Sequence, residues 1–127
     1  MATREKEKAE ARAAARKDGP ARAEIRGVRM SARKVRVLAD LIRNKSVEEA
    51  LTTLAFQRRI GVEPLKKVLD SAIANADQRG MDIDRLMVTD LQVNKGPIMR
   101  RFMTRDHGRA SRIRKQTSHI RVALSEA

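Results

Sequence analysis

The sequence predicts an α+β fold in which three helices pack on a small antiparallel sheet that carries a long extended β-hairpin. Apolar residues recur with a period near 3.6 between residues 31 and 79, as in amphipathic helices. After Gly80 they alternate with a period of two, as in strands. A chain of 127 residues has room for only one modest core.

A charged extension precedes the predicted domain. From Ala2 to Lys17 the residues Arg, Glu, Lys and Ala alternate without a sustained apolar stripe, and Asp18-Gly19-Pro20 interrupts any helix. We therefore expect residues 1–20 to be a flexible extension, able to form a helix ahead of a linker, and residues 21–127 to form the domain.

The domain should begin with a strand and a helix. Residues 23–30 suit a short strand, and Ser31 offers its hydroxyl as the cap of a helix that runs to about Arg43. The buried face of this helix is predicted to consist of Val35, Leu38, Ala39 and Ile42.

Two more helices follow. Ser46 and Glu49 form a capping-box pattern at the start of a short helix, and a longer helix begins near Pro64 and ends before Gly80. The inward residues are predicted to be Val47, Ala50, Leu51 and Leu54 in the first, and Leu65, Leu69, Ala72, Ile73 and Ala76 in the second.

The last third of the chain is predicted to be a hairpin over residues 85–122. Its strands show alternation at Met87, Thr89, Leu91 and Val93 and again at Ile120, Val122 and Leu124. Gly96-Pro97 and Gly108 flank a distal part, residues 96–109, that is too polar for a core. These residues either let the strands bend or let the backbone approach a ligand closely.

The charge balance predicts a polyanionic partner. Lys and Arg number 29 against 16 Asp and Glu, which gives a net charge of +13 and a sequence pI near 11.3. Nucleic acid is favoured over an anionic membrane, because each neutralised phosphate releases counterions. The sequence contains no apolar run long enough to span a bilayer and no secretory signal, so we expect a cytoplasmic protein without a membrane partner.

Residue usage argues against an enzyme. The chain has no cysteine, which excludes disulfides, thiolate metal sites and a cysteine nucleophile. His107, Ser118 and His119 are the only residues that suggest catalysis, and no carboxylate pattern completes a triad or a metal site; His119 is more typical of a hydrogen-bonded structural residue. Phosphate-binding glycine loops are missing too, so we expect no catalytic residue, metal or cofactor.

A one-sided basic segment is the main candidate for RNA binding. Between residues 95 and 121 only Asp106 opposes the cations Lys95, Arg100, Arg101, Arg105, Arg109, Arg112, Arg114, Lys115 and Arg121. Arginine suits RNA because its planar guanidinium can bind phosphate oxygens in a fork and stack on bases. The alternative is a solvated surface loop, although such loops usually mix the two signs of charge.

A second basic group surrounds the start of the first domain helix: Arg26, Arg29, Arg33, Lys34 and Arg36. Phosphate binding near Ser31 is one interpretation, and a simple cap with solvated arginines is the other. Phe102, the single aromatic residue of the basic segment, either stacks on a base or packs within the hairpin.

The residues also resemble a known family, that of the bacterial-type ribosomal protein number twenty-two of the large subunit. The matching stretches are RMSARKVRVLADLIRNKSVEEAL, KKVLDSAIANA, GPIMRRF, GRASRIRKQTSHI and VALSE, in that order from about Arg22 to the end.

The resemblance implies a structural protein that binds rRNA, acts in subunit assembly and lines the nascent-peptide exit tunnel with its hairpin. The implied partners are large-subunit rRNA, neighbouring ribosomal proteins and the nascent chain. It assigns the hairpin tip to Arg101, Phe102, Met103, Thr104, Arg105, Asp106 and His107. Asp106 departs from the family pattern, and we expect it either to face the tunnel lumen or to pair with Arg105 or Arg109.

Two other classes remain open from the residues alone. A free DNA- or RNA-binding regulator would bind short duplexes with some sequence preference, whereas a ribosomal protein should require folded rRNA. An enzyme acting on nucleic acid would need a metal or base cluster.

Overall fold

The computed structural model describes residues 2–17 and 19–127. Two 3-10 turns, Ile83–Arg85 and Asp106–Gly108, accompany the longer elements. In chain order these are α1 (Ala2–Lys17), β1 (Ala21–Val28), α2 (Ala32–Ile42), α3 (Val47–Ala55), α4 (Val62–Gln78), β2 (Leu86–Lys95), β3 (Met99–Thr104), β4 (Ala110–Lys115) and β5 (Ser118–Glu126).

Helix α1 is the charged extension in helical form. Its side chains from Thr3 to Ala15 are exposed, as expected for a segment without an apolar stripe. Met1 and Asp18 of the predicted extension lie outside the described residues. The described chain thus has four helices, namely α1 and the three predicted from periodicity. None of the helices in residues 2–17 and 19–127 combines the length and apolar composition that crossing a bilayer requires.

An antiparallel sheet with strand order β1-β5-β2 forms one layer of the domain. The central strand β5 pairs with both neighbours, so that Val122 lies opposite Ala23 on one side and Leu91 on the other. The predicted inward residues Ile120, Val122 and Leu124 are fully buried.

The regular alternation predicted for β2 is interrupted by a bulge. Leu86 and Val88 are buried in the first half of the strand, whereas Leu91 and Val93 are buried in the second half. The register against β5 shifts between Val88 and Asp90, which inserts an extra residue and reverses the phase of the side chains.

The three domain helices cover one layer of apolar side chains. Helix α4 packs against β1 and β5, α2 packs against β2, and α3 contacts both other helices. The predicted stripes are buried, except that Leu51 and Ile73 are partly exposed at the margin of the core. Helix α4 begins at Val62, so Pro64 lies in its first turn, where a missing N–H leaves no helical bond unmade.

The two predicted serine caps differ. The Ser46 hydroxyl accepts a hydrogen bond from the Glu49 N–H at 3.3 Å, as predicted for the start of α3. Ser31 occupies the cap position of α2, but its hydroxyl makes no capping bond. The Ser31 carbonyl accepts the N–H groups of Lys34 and Val35 instead, at 3.1 and 3.3 Å.

The outer edge of β2 is closed by the helical layer. The carbonyl and N–H of Val88 pair with the N–H of Asn44 and the carbonyl of Lys45, at 3.0 and 2.9 Å. Further along, the guanidinium of Arg43 donates to the Leu91 carbonyl at 3.0 Å. That of Arg36 donates twice to the Val93 carbonyl, at 3.0 and 2.9 Å. Four polar groups that an edge strand would leave open are therefore occupied, namely the Val88 N–H and the carbonyls of Val88, Leu91 and Val93.

Candidate nucleic-acid interface

The hairpin consists of two ladders with a break between them. β2 and β5 pair within the sheet, whereas β3 and β4 pair with each other in a separate two-stranded ladder, the distal hairpin (residues 97–116). All side chains from Arg100 to Ala110 are exposed. The distal hairpin therefore adds nothing to the core and presents both of its faces to solvent.

Side-chain alternation gives the distal hairpin two unlike faces. Arg100 lies opposite Arg114, and Phe102 lies opposite Arg112, so three guanidinium groups share one face with an aromatic ring. Phe102 is 72% exposed, so the hairpin does not bury it. The other face carries Met99, Arg101, Met103, Ser111, Ile113 and Lys115.

The tip is a tight turn between Thr104 and Ala110. The Arg105 N–H donates to the Arg109 carbonyl at 2.8 Å, and both His107 and Gly108 adopt positive φ angles, of 59° and 69°. Within the described residues Asp106 forms no ion pair, so the expected pairing with Arg105 or Arg109 is absent. Its backbone carbonyl accepts the Arg109 N–H at 3.3 Å instead.

Close backbone packing fixes the base of the distal hairpin. The Gly96 N–H donates to the Thr117 carbonyl at 2.9 Å, and the Thr117 hydroxyl donates to the Pro97 carbonyl at 2.6 Å. A Cβ on Gly96 would lie 2.5 Å from the Thr117 Oγ1 and 3.2 Å from the His119 ring. His119 is itself held, because its Nδ1 accepts the Gly27 N–H at 3.0 Å. Gly96 therefore permits a close approach within the protein itself, while its predicted approach to RNA stays a prediction.

Some of the predicted cations are already engaged inside the protein. Glu24 pairs with Arg26 at 2.9 Å and with Arg121 at 3.3 Å. The hydrogen bond from Arg26, together with that from Arg121, lowers the pKa of the Glu24 carboxyl below its ordinary value. Arg36 is fixed on the β2 edge. These three cations have less freedom to meet a phosphate than the others.

Five of the remaining cations of the two predicted groups meet in one groove. The groove runs between the start of α2, the loop that joins α3 to α4, and the end of β4, and it encloses about 1240 Å³. Its cationic lining consists of Arg29, Arg33, Lys34, Arg58, Arg59, Arg114 and Lys115. Among the described residues, no acidic side chain is part of this lining. Lys95, Arg100, Arg101, Arg105, Arg109 and Arg112 are instead distributed along the hairpin.

Sequence reasoning missed Arg58 and Arg59. They lie in the short loop of residues 57–61, outside both basic groups, and only the fold places them in the same groove as Arg114. The only signal in the sequence was weak, namely two adjacent arginines followed by Ile60 in a short segment between two predicted helices.

Comparison with known proteins decides which family this basic α+β chain represents. The family model described as ribosomal protein L22p/L17e matches residues 23–125. The chain is also 47% identical over 107 residues to the large ribosomal subunit protein uL22 of Syntrophotalea carbinolica, a match that covers 84% of this chain and 97% of that relative.

The chain belongs to the ribosomal protein L22p/L17e family. The resemblance seen in the sequence motifs is thereby confirmed. Members of this family are structural proteins of the ribosome, so the expectation that the chain is not an enzyme is confirmed as well.

The residues that suggested catalysis have other surroundings in this L22p/L17e chain. His119 is bonded to the Gly27 backbone, and Ser118 is fully buried, its hydroxyl without a hydrogen-bond partner among the described residues. His107 lies at the exposed hairpin tip, remote in sequence from both. Helix α1 precedes the residues that the family model matches.

Proposed function

We propose that this ribosomal protein is a constituent of the large subunit, in the cytoplasm, that binds rRNA, supports subunit assembly and lines the nascent-peptide exit tunnel with its hairpin tip. Its partners would be large-subunit rRNA, neighbouring ribosomal proteins and the nascent polypeptide. The domain proper would comprise residues 21–127, and residues 1–20 would be an added extension.

The observation that carries this proposal is the uncompensated charge of the distal hairpin. Within the described residues, no side chain of the distal hairpin takes part in an ion pair. Arg100 and Arg114 even form a directly opposed like-charge pair, which destabilises an antiparallel ladder. A two-stranded ladder is marginal by itself in water, so this one needs an external polyanion. Phosphates of folded RNA would supply it.

The length of the distal hairpin supports a role at some distance from the domain. Strands rise about 3.4 Å per residue, so β3 and its tip extend roughly 20 Å beyond the sheet. A projection of this kind can pass between RNA segments while the helical domain remains on the outside. Cations both at its base and near its tip would bridge segments that are separate before folding, which is how it would support assembly.

Tunnel lining can be tested with a single introduced cysteine, because the chain has none of its own. Met103→Cys places a thiol near the tip of the hairpin, and Ser71→Cys places one on the exposed surface of α4 as a matched control. Each variant is assembled into large subunits, labelled with a short photocrosslinker and used to translate a stalled, radiolabelled nascent chain.

We expect the label on Met103→Cys, but not on Ser71→Cys, to crosslink to the nascent chain. Crosslinks from Met103→Cys to rRNA alone would disprove tunnel lining and leave rRNA binding intact. If the unmodified protein enters the large subunit and both variants do not, the substitutions themselves are the cause. If the unmodified protein does not enter the large subunit, the whole proposal is disproved.

A further inference from the structure

The groove beside the distal hairpin differs from a plain phosphate track in having an apolar floor. Between its cations lie Val37, 48% exposed, and Ile60, 84% exposed, with Met30 and Leu38 also lining the groove. Apolar atoms gain nothing from a duplex backbone, whose outer surface is phosphate and sugar. They favour a flat ring placed against them, since the face of a base is its apolar part.

Because Gly61 has no side chain, the loop between α3 and α4 can lie close to the apolar floor of the groove. A Cβ on Gly61 would be 2.9 Å from the Leu38 Cδ1 and 3.1 Å from the Met30 Sδ, so the loop lies against α2 with no room for a side chain. Packing of this kind holds the loop that carries Arg58, Arg59 and Ile60 against α2, so that these residues line the groove together with α2 and β4.

The groove cations have no ion-pair partner among the residues whose side chains the structure describes. Five ion pairs occur among those residues, and none involves a cationic residue of the groove. Seven cations facing one space repel one another unless an anion enters it. A volume of about 1240 Å³ exceeds the roughly 300–1,000 Å³ of pockets for drug-sized ligands, which leaves room for a nucleotide and its two flanking phosphates.

We infer that this groove binds one unstacked nucleotide of rRNA, with its base on Ile60 and Val37 and its flanking phosphates held by Arg58, Arg59 and the cations of the opposite walls. The inference rests on the proposed rRNA binding and makes it specific, because it requires an unpaired residue turned out of its helix. Arg114 and Lys115 belong to both the groove and the hairpin, so the bound nucleotide would lie next to RNA held by β4. An acidic peptide is the alternative occupant. If a peptide filled the groove, the groove would not be part of the surface through which the hairpin contacts RNA.

Ile60→Ser tests the floor without changing charge, and the high exposure of Ile60 makes unfolding an improbable result of the change. Ile83→Ser is the matched control, since Ile83 is 44% exposed and lies in the turn before β2, outside the groove. Full-length proteins are titrated against protein-free large-subunit rRNA, and unpaired bases are probed with a reagent that methylates their Watson–Crick edges.

We expect the unmodified protein to change the reactivity of a particular unpaired base, and Ile60→Ser to remove that change and weaken binding roughly tenfold, as for the loss of one apolar contact surface. The salt dependence of binding should stay the same. The double variant Arg58→Gln, Arg59→Gln should instead reduce the salt slope by up to about two.

If Ile60→Ser behaves like Ile83→Ser while rRNA binding by the unmodified protein is intact, the groove does not hold a base and the inference is wrong. An unmodified protein that fails to bind the rRNA would overturn the proposed function instead. Retained RNA binding by the double arginine variant, with an unchanged salt slope, would also overturn the inference and would favour an acidic protein segment as the occupant.

Discussion

Arg100 and Arg114 lie directly opposite each other in the ladder between β3 and β4. Cross-strand partners of this kind have Cβ atoms about 5 Å apart, so two like charges share one position on the same face. A sequence selected for the stability of the free hairpin would place an acid at one of the two sites. The pair therefore indicates that the hairpin is stable with an anion beside it.

Arg100→Glu converts this pair into one of opposite charge. We expect the distal hairpin of the free protein to become more stable by roughly 0.2–1 kcal/mol, because repulsion is replaced by attraction. Amide hydrogen exchange of residues 99–104 should slow, whereas rRNA affinity should fall. Arg100→Gln, which only removes the repulsion, should slow exchange less. Faster exchange in Arg100→Glu would show that the opposed charges do not govern hairpin stability.

Arg112→Gln with Arg114→Gln tests the returning strand of the hairpin. Each lost phosphate contact should reduce the slope of log affinity against log salt by roughly one, so the double variant should lose about two. The matched control, Arg12→Gln with Lys66→Gln, removes the same charge from exposed positions of α1 and α4, outside the hairpin and the groove. Equal changes in the two variants would mean that net charge alone, and not contact with these side chains, sets the affinity.

Gly96→Ala should disturb the base of the distal hairpin. The new methyl group would meet the Thr117 hydroxyl, which is bonded to Pro97, and the His119 ring, which is bonded to Gly27, so neither neighbour can move freely. We expect a loss of about 1–3 kcal/mol in the free energy of unfolding, as for other overpacked sites. Pro97→Ala keeps the accepting carbonyl and adds no clash, and it should change the unfolding midpoint far less. Denaturant unfolding of both variants measures this difference in stability.

Arg36→Lys should weaken the domain although it keeps the charge. An ammonium cannot reproduce the two guanidinium bonds to the Val93 carbonyl, and hydrogen bonds from charged groups contribute about 1.5–3 kcal/mol when complete. We expect to measure a loss near the lower end of that range in the free energy of unfolding. Arg33→Lys, on the exposed side of α2 and without such bonds, is the control. Equal stability of the two variants would show that the Arg36 bonds do not hold the β2 edge.

Replacement of residues 97–116 by a short Asn-Gly turn should leave the domain folded. Gly96 and Thr117 are already paired across the strands, and the residues removed include no member of the hydrophobic core. The melting temperature should therefore change little, while incorporation into large subunits reconstituted from rRNA should drop sharply. Unfolding of the truncated chain would refute the division between core and distal hairpin, and undiminished incorporation would refute the assembly role.

Elements with a clear period could be predicted from the sequence, and contacts between distant segments could not. The stripe of α2, with Val35, Leu38 and Ile42, is fixed by spacing along one helix. The bulge after Val88 could not be recognised in the sequence, because the apolar residues Met87 and Leu91 fit an unbroken alternation equally well. Ser31 likewise has the right type for a cap, yet the backbone carbonyl takes the role of its hydroxyl.

The candidate site shows the same division. The hairpin cations are adjacent in sequence, so their concentration could be read directly from it. The groove depends on tertiary packing that brings Arg59 and Lys115, from distant parts of the chain, into its lining. Arg36 was predicted among the RNA-binding residues because of its position, and its bond to Val93 became visible only in the fold.

The covered groups on the outer edge of β2 matter most while the protein is outside a ribosome. A newly made copy, still outside a particle, would otherwise offer a bare strand to which a second copy could add one of its own, and such additions lead to aggregation. Asn44, Lys45, Arg43 and Arg36 occupy that position from within the same chain. Addition of a second copy at β2 is therefore hindered at Val88, Leu91 and Val93, and β1 is the outer strand at which a neighbour would meet less obstruction.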